Sequence, residues 1–246
     1  MKATRPLLAT ALALLLLPAA APARTILTTE HADIGIGYEG GWDLHVHDDD
    51  NDIEYDPDEV LLYLGPNARK SADSFEAGFT GSAEGEDLWV LPQGPQNPTL
   101  LYLGVGSEFD DLTDFGAWAP SDTRVDFGGD EFVWFRLNLE SVSGPGQFSV
   151  YTDDNIVWMS SIAAPTDGNH LYILRDGHNH YNWTFSATGL YEVSFSATTE
   201  LANGDLVTST PVTYLFGVEV VPEPTTGSLL LLAAGFALAR RRSGRA

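Results

Sequence analysis

Five of the six histidines stand in three short clusters. His31 lies in Glu30-His31-Ala32-Asp33, His45 and His47 in Trp42-Asp43-Leu44-His45-Val46-His47, and His178 and His180 in Gly177-His178-Asn179-His180-Tyr181. Neutral imidazole is the commonest transition-metal ligand. Residues two apart on a β-strand share a face, so each His-x-His pair sets two imidazoles about 6.5–7 Å apart at Cα, within reach of one ion. Two such pairs, with His31 nearby, could close a site, and Asp33 or Asp43 would add a ligand or orient a ring from behind. The expected ion is Zn²⁺, because the chain has no cysteine and the site would be rich in imidazole; Cu²⁺ and Ni²⁺ are the alternatives. The competing reading is a structural hydrogen-bond network of these histidines with Trp42 and Trp183. His170 reads as an ordinary loop residue.

A second cation-binding pattern is the run Asp48-Asp49-Asp50-Asn51-Asp52. Asp48, Asp50, Asp52 and Glu59 match positions 1, 3, 5 and 12 of an EF-hand loop, but the sixth position, where glycine permits the sharp turn, is Ile53. A looser Ca²⁺ site on the Asp48–Asp52 loop stays open, beside a plain solvated turn.

Catalytic motifs are scarce. There is no Gly-x-Ser-x-Gly elbow, no phosphate-binding loop and no dinucleotide glycine motif. Asp43-Leu44-His45-Val46-His47 resembles the opening motif of the PHP phosphoesterases, but that fold alternates strands with helices and this chain shows almost no helical period. The expectation is a protein that is not an enzyme, with a metal-dependent hydrolase as the least favoured alternative. The six tryptophans include candidates for sugar stacking, which keeps an adhesion or carbohydrate-binding module open, although most read as core.

The elements that must carry these residues have a period of two. Tyr191, Val193, Phe195 and Ala197 alternate with Glu192, Ser194, Ser196 and Thr198, the pattern of a strand with one wet face. Similar runs cover 59–64, 88–91, 99–103, 131–137, 147–152, 156–160 and 212–218, separated by clusters such as Gly128-Gly129-Asp130, Ser143-Gly144-Pro145-Gly146 and Asn203-Gly204-Asp205. The spacing predicts an all-β fold, an antiparallel β-sandwich. Only 107–118 offers a short helix or a turn-rich loop. Ser186 to Ala197 is similar to the penultimate strand of an immunoglobulin-like domain, with Gly189 and Tyr191 placed for a tyrosine corner and Val193 where the usual cysteine would stand.

Both ends read as addresses. Lys2 and Arg5, the apolar run Leu7–Leu17 and the small residues of 19–23 make a signal peptide over 1–23, which implies passage through the Sec translocon. At the other end Pro222-Glu223-Pro224 is followed by the apolar run Leu229–Ala239 and then Arg240-Arg241-Arg242. This tail, 222–246, resembles the PEP-CTERM sorting signal of Gram-negative bacteria, which implies an exosortase-type sorting enzyme as partner. The apolar run would span roughly 16 Å as a helix, about half of a 30 Å hydrocarbon core. It therefore suits transient inner-membrane anchoring and processing, with the arginines held on the cytoplasmic side.

One β domain is expected over 24–221. It holds six basic and 34 acidic residues, a net charge of about −28, which repels nucleic acid and anionic lipid and attracts cations. The absence of cysteine removes disulfides, thiolate metal sites and cysteine nucleophiles. Finally, Ile34-Gly35-Ile36-Gly37-Tyr38-Glu39, Trp42 to His47, Tyr55-Asp56-Pro57-Asp58-Glu59-Val60 and Gly177-His178-Asn179-His180-Tyr181-Asn182-Trp183-Thr184-Phe185 together resemble the surface-anchored choice-of-anchor M domains. The resemblance implies a surface protein with a metal-related role and carries no established catalytic residues. With the two end signals it leads to an exported protein of the cell envelope or extracellular matrix, with surface polysaccharide as a candidate partner after tail processing.

Overall fold

A computed structural model describes residues 24–222 other than 39, 110–112, 119 and 128–131. The strands in chain order are β1 (Thr25–Leu27), β2 (His31–Tyr38), β3 (Trp42–Asp48), β4 (Ile53–Tyr55), β5 (Val60–Leu64), β6 (Arg69–Ser71), β7 (Asp87–Leu91), β8 (Tyr102–Glu108) and β9 (Trp134–Ser143). There follow β10 (Phe148–Tyr151), β11 (Val157–Ser160), β12 (His170–Leu174), β13 (His178–His180), β14 (Asn182–Phe185), β15 (Gly189–Glu200), β16 (Leu206–Thr208) and β17 (Val212–Val218). The helical residues described are three short 3₁₀ turns, Pro57–Glu59, Pro66–Ala68 and Glu76–Gly78. The fold is mostly β, as the two-residue period requires.

Three sheets result. The first runs β1-β5-β17-β15-β9-β12 with β16 on β15, the second β11-β10-β14-β7-β6, and the third β13-β8-β2-β3-β4. The expectation of antiparallel pairing is corrected in three places, because β1 with β5, β5 with β17, and β2 with β8 are parallel. Alternation records which face of a strand is buried, not the direction of its neighbour, and parallel partners need long crossovers that leave no local mark.

Strand limits move where turns intervene. Instead of 99–103, β8 begins at Tyr102, since the side chain of Asn97 accepts the Thr99 N–H (3.0 Å) and its carbonyl accepts the Leu100 N–H (3.0 Å). Within 107–118 no helix forms among the described residues; Ser107 and Glu108 end β8, and Phe115 makes an isolated bridge to Leu201. The proposed turn Gly128-Gly129-Asp130 lies outside the described residues. So do the signal peptide and the tail beyond Pro222, including Glu223, Pro224 and Arg240 to Arg242. Among the described residues no helix is long and apolar enough to cross a membrane.

A single apolar cluster joins the three sheets through side chains such as Ile34, Leu103, Trp183, Phe185, Phe195 and Phe216. Each contributes about 1.5–3 kcal/mol of burial. The Trp183 indole is wholly buried and donates to the Leu103 carbonyl (3.0 Å), linking β14 to β8. The second face of β15 is wet only at its start, where Leu190 and Glu192 are exposed. Ser194, Ser196 and Thr198 are buried, and their hydroxyls are satisfied by Thr213, Asn138 and Thr208. At the start of the same strand Tyr191 donates its phenol to the Ala187 carbonyl (2.8 Å). Gly189 there has φ +139°, and a Cβ on it would sit 2.6 Å from Pro145.

The third sheet positions the chemistry. Ala32, Ile34 and Ile36 of β2, with Leu103 and Val105 of β8, bury one face in the core. The other face carries His31, Asp33 and Gly35.

Candidate metal centre

Strand register aligns the sequence clusters in two rows. One row crosses all five strands as His180, Gly104, Asp33, His47 and Glu54; the next holds His178, Gly106, Gly35 and His45. Because each row advances by two residues, both lie on one face. The glycines form its floor. A Cβ on Gly104 would lie 2.2 Å from Asp33 Oδ1, one on Gly106 2.8 Å from Asp33 Oδ2, and one on Gly35 2.2 Å from His45 Nε2. Only residues without a side chain let the Asp33 carboxylate and the His45 ring lie down across neighbouring strands.

Three imidazoles converge above this floor. The Nε2 atoms of His31 and His180 are 3.0 Å apart, those of His31 and His178 3.1 Å, and those of His178 and His180 2.7 Å. His180 stacks on Tyr102, ring centroids 3.5 Å apart, which fixes its plane. Behind His178, Asp33 Oδ2 faces Nδ1 at 3.1 Å. Asp49 reaches in from the turn after β3, with Oδ2 3.5 Å from His31 Nε2 and Oδ1 3.5 Å from His47 Nδ1; Oδ2 is buried and has no hydrogen-bond partner.

Protons alone do not satisfy this triangle. A neutral imidazole presents either one N–H or one lone pair at Nε2. Whichever assignment is chosen, at least one of the three contacts opposes two protons or two lone pairs. A cation that accepts three lone pairs removes the conflict, and tetrahedral ligands at about 2.0–2.1 Å from zinc stand about 3.3 Å from each other. The electrostatics favour neutral rings: burial, then the neighbouring His178, pushes His180 down to about 4, and burial with the His31 charge lowers His178. Burial, reinforced by Asp49, lifts Asp33 to about 8.

The five histidines thus divide. His31, His178 and His180, with Asp33, could hold one ion. His47 turns its Nδ1 to Glu108 (2.8 Å); although burial opposes it, that hydrogen bond and the charges of Glu108 and Asp49 raise its pKa. His45 groups with Asp43 and Glu54 instead. Trp183 lies in the core, and Trp42 packs edge-on against Tyr38 and Phe135, so the histidine–tryptophan network does not form. His170 is not a loop residue; it opens β12 and bonds through Nε2 to Asp122 (2.9 Å), which pairs with Arg124.

The Asp48–Asp52 turn engages its own carboxylates. Asp48 accepts from the Asn51 amide and backbone (2.8 and 3.2 Å), and Asp50 accepts the His31 N–H (2.9 Å). Asp49, the one aspartate of the run that the EF-hand template passes over, is the one aimed at the histidines. The contribution of Tyr102, Gly104 and Gly106 has one sequence signal, a period-two Tyr-x-Gly-x-Gly, the mark of a strand whose neighbour's side chains cross it.

Compared with known protein families, curated proteins and solved structures, the chain matches none.

Proposed function

We propose that this protein is a non-enzymatic, exported domain of the cell envelope or matrix that holds a transition-metal ion, Zn²⁺ first, through His31, His178 and His180. The observation that carries the reading is the mutual approach of three Nε2 atoms, an arrangement a cation satisfies and protons do not. Asp33 supports His178 from behind, the usual second partner of a metal-bound histidine, and the Asp49 carboxylate beside His31 adds negative charge that attracts a cation. The choice-of-anchor M resemblance, the sandwich arrangement with its immunoglobulin-like corner at Tyr191, and the PEP-CTERM tail processed by a sorting enzyme belong to the same reading. Elemental analysis of the chain purified without added metal, followed by Zn²⁺ titration of the chelated protein, tests it. About one tightly held equivalent that disappears in His31→Ala/His180→Ala is expected, and uptake unchanged in that variant would refute it.

A carbohydrate-binding reading has one observation in its favour. Beside His178 and His180 opens a cleft of about 530 Å³ lined by Tyr102, Trp134, Trp158 and Tyr172. Polysaccharide binding that survives chelation would favour it.

A further inference from the structure

Asp43, His45 and Glu54 offer ligand atoms that all lie within 4.8 Å of one another. His45 is 5% exposed, yet neither of its ring nitrogens has a hydrogen-bond partner. Burial of an unpaired polar group costs about 1–3 kcal/mol. The ring lies over Gly35, in the space a Cβ would fill. Its Nδ1 faces Asp43 Oδ2 at 3.6 Å, too long for a good hydrogen bond but a separation that one ion can bridge. The ring opens onto a second cavity of about 530 Å³, whose wall also carries Asp43, Glu54 and Glu108 and, among the described residues, no lysine or arginine.

We infer that Asp43, His45 and Glu54 form a second divalent-cation site, separate from the three-imidazole centre. One imidazole with two carboxylates is a mixed nitrogen and oxygen set, which suits Mn²⁺ as well as Zn²⁺, whereas the three-imidazole centre favours Zn²⁺ or Cu²⁺. The two sites share the sheet but not their ligands: His45 stands in the same row as His178 but three strands away.

The test is the number of equivalents bound by the chelated protein, titrated with Zn²⁺ alone and with Mn²⁺ alone, the latter followed by electron paramagnetic resonance. Asp43→Asn/Glu54→Gln changes two exposed side chains and should leave the fold intact. Two Zn²⁺ equivalents in the parent, one in this variant and one in His31→Ala/His180→Ala are expected, with Mn²⁺ affinity at least tenfold weaker in Asp43→Asn/Glu54→Gln. His45→Phe, which keeps an aromatic ring but no ligand nitrogen, should show the same loss. A single equivalent removed only by Asp43→Asn/Glu54→Gln would keep this site and refute the three-imidazole centre. A parent that binds one equivalent through His31 and His180, or two that persist in Asp43→Asn/Glu54→Gln, would overturn the second site. No uptake at all would overturn both.

Discussion

Asp33 Oδ2 lies 3.1 Å from His178 Nδ1, on the side of the ring away from the three converging Nε2 atoms. An ionised carboxylate there holds the proton on Nδ1 and leaves the Nε2 lone pair for a metal. Asp33→Asn removes the charge and allows the opposite tautomer. Zn²⁺ affinity should fall about 10- to 100-fold, as seen for outer partners of ligating histidines, in a competition titration that leaves far-ultraviolet circular dichroism unchanged.

The same carboxyl predicts proton release. Its folded pKa is raised from 3.8 to about 8, so it keeps its proton at pH 7 while the site is empty. Binding a cation beside it favours ionisation. Uptake of Zn²⁺ at pH 7 should release about one proton, fading as pH rises above 8. Calorimetry in buffers of different ionisation enthalpy measures this, and Asp33→Asn should abolish it.

Metal binding should weaken as pH falls below about 8, where Asp33 keeps the proton that binding displaces. A second, steeper fall should follow below about pH 6, where protons also compete for imidazole. Because His178 and His180 are lowered from 6.5, this second fall should come at more acid pH than for free imidazole. A titration of bound metal against pH locates the midpoint.

Gly104→Ala would set a Cβ 2.2 Å from Asp33 Oδ1 and 3.0 Å from the Asn179 carbonyl. The substitution should cost about 1–3 kcal/mol by overpacking and also weaken Zn²⁺ binding, since it displaces the carboxylate behind His178. Chemical denaturation and metal titration of the same variant separate the two effects.

Away from the metal centre, acid stability should depend on Asp122. Its side chain is fully buried against Arg124 and His170 (2.7 and 2.9 Å). Burial alone would raise its pKa, but the Arg124 hydrogen bonds and charge hold it down at about 2, from 3.8. A depressed carboxyl contributes stability that is complete above pH 3.8 and is lost as pH falls towards 2. His170, lowered by burial, adds a loss as pH drops below 6.5, because the unfolded chain takes up the proton more readily. Asp122→Asn should destabilise the protein by about 3 kcal/mol near neutral pH and flatten the acid limb of its stability curve.

The sequence alone determined what can be read from local period and spacing. Alternation at Tyr191, Val193 and Phe195 marked a strand because side chains on successive residues face opposite sides. Clustered histidines marked candidate ligands because their ring nitrogens have few other roles in such density. Tertiary structure decided which clusters meet. His178 and His180 reach His31 only because β2 pairs in parallel with β8, and β8 with β13, in a register that places glycines 104 and 106 between them. His45 and His47 stand on the same face but on the far side of β2, where Asp33, Asp49 and Glu108 intervene. Pairing partner, direction and register are set by long-range burial rather than by neighbouring residues. For that reason five histidines that look equivalent along the chain divide into one three-imidazole centre, one glutamate-bound ring and one buried ring without a partner.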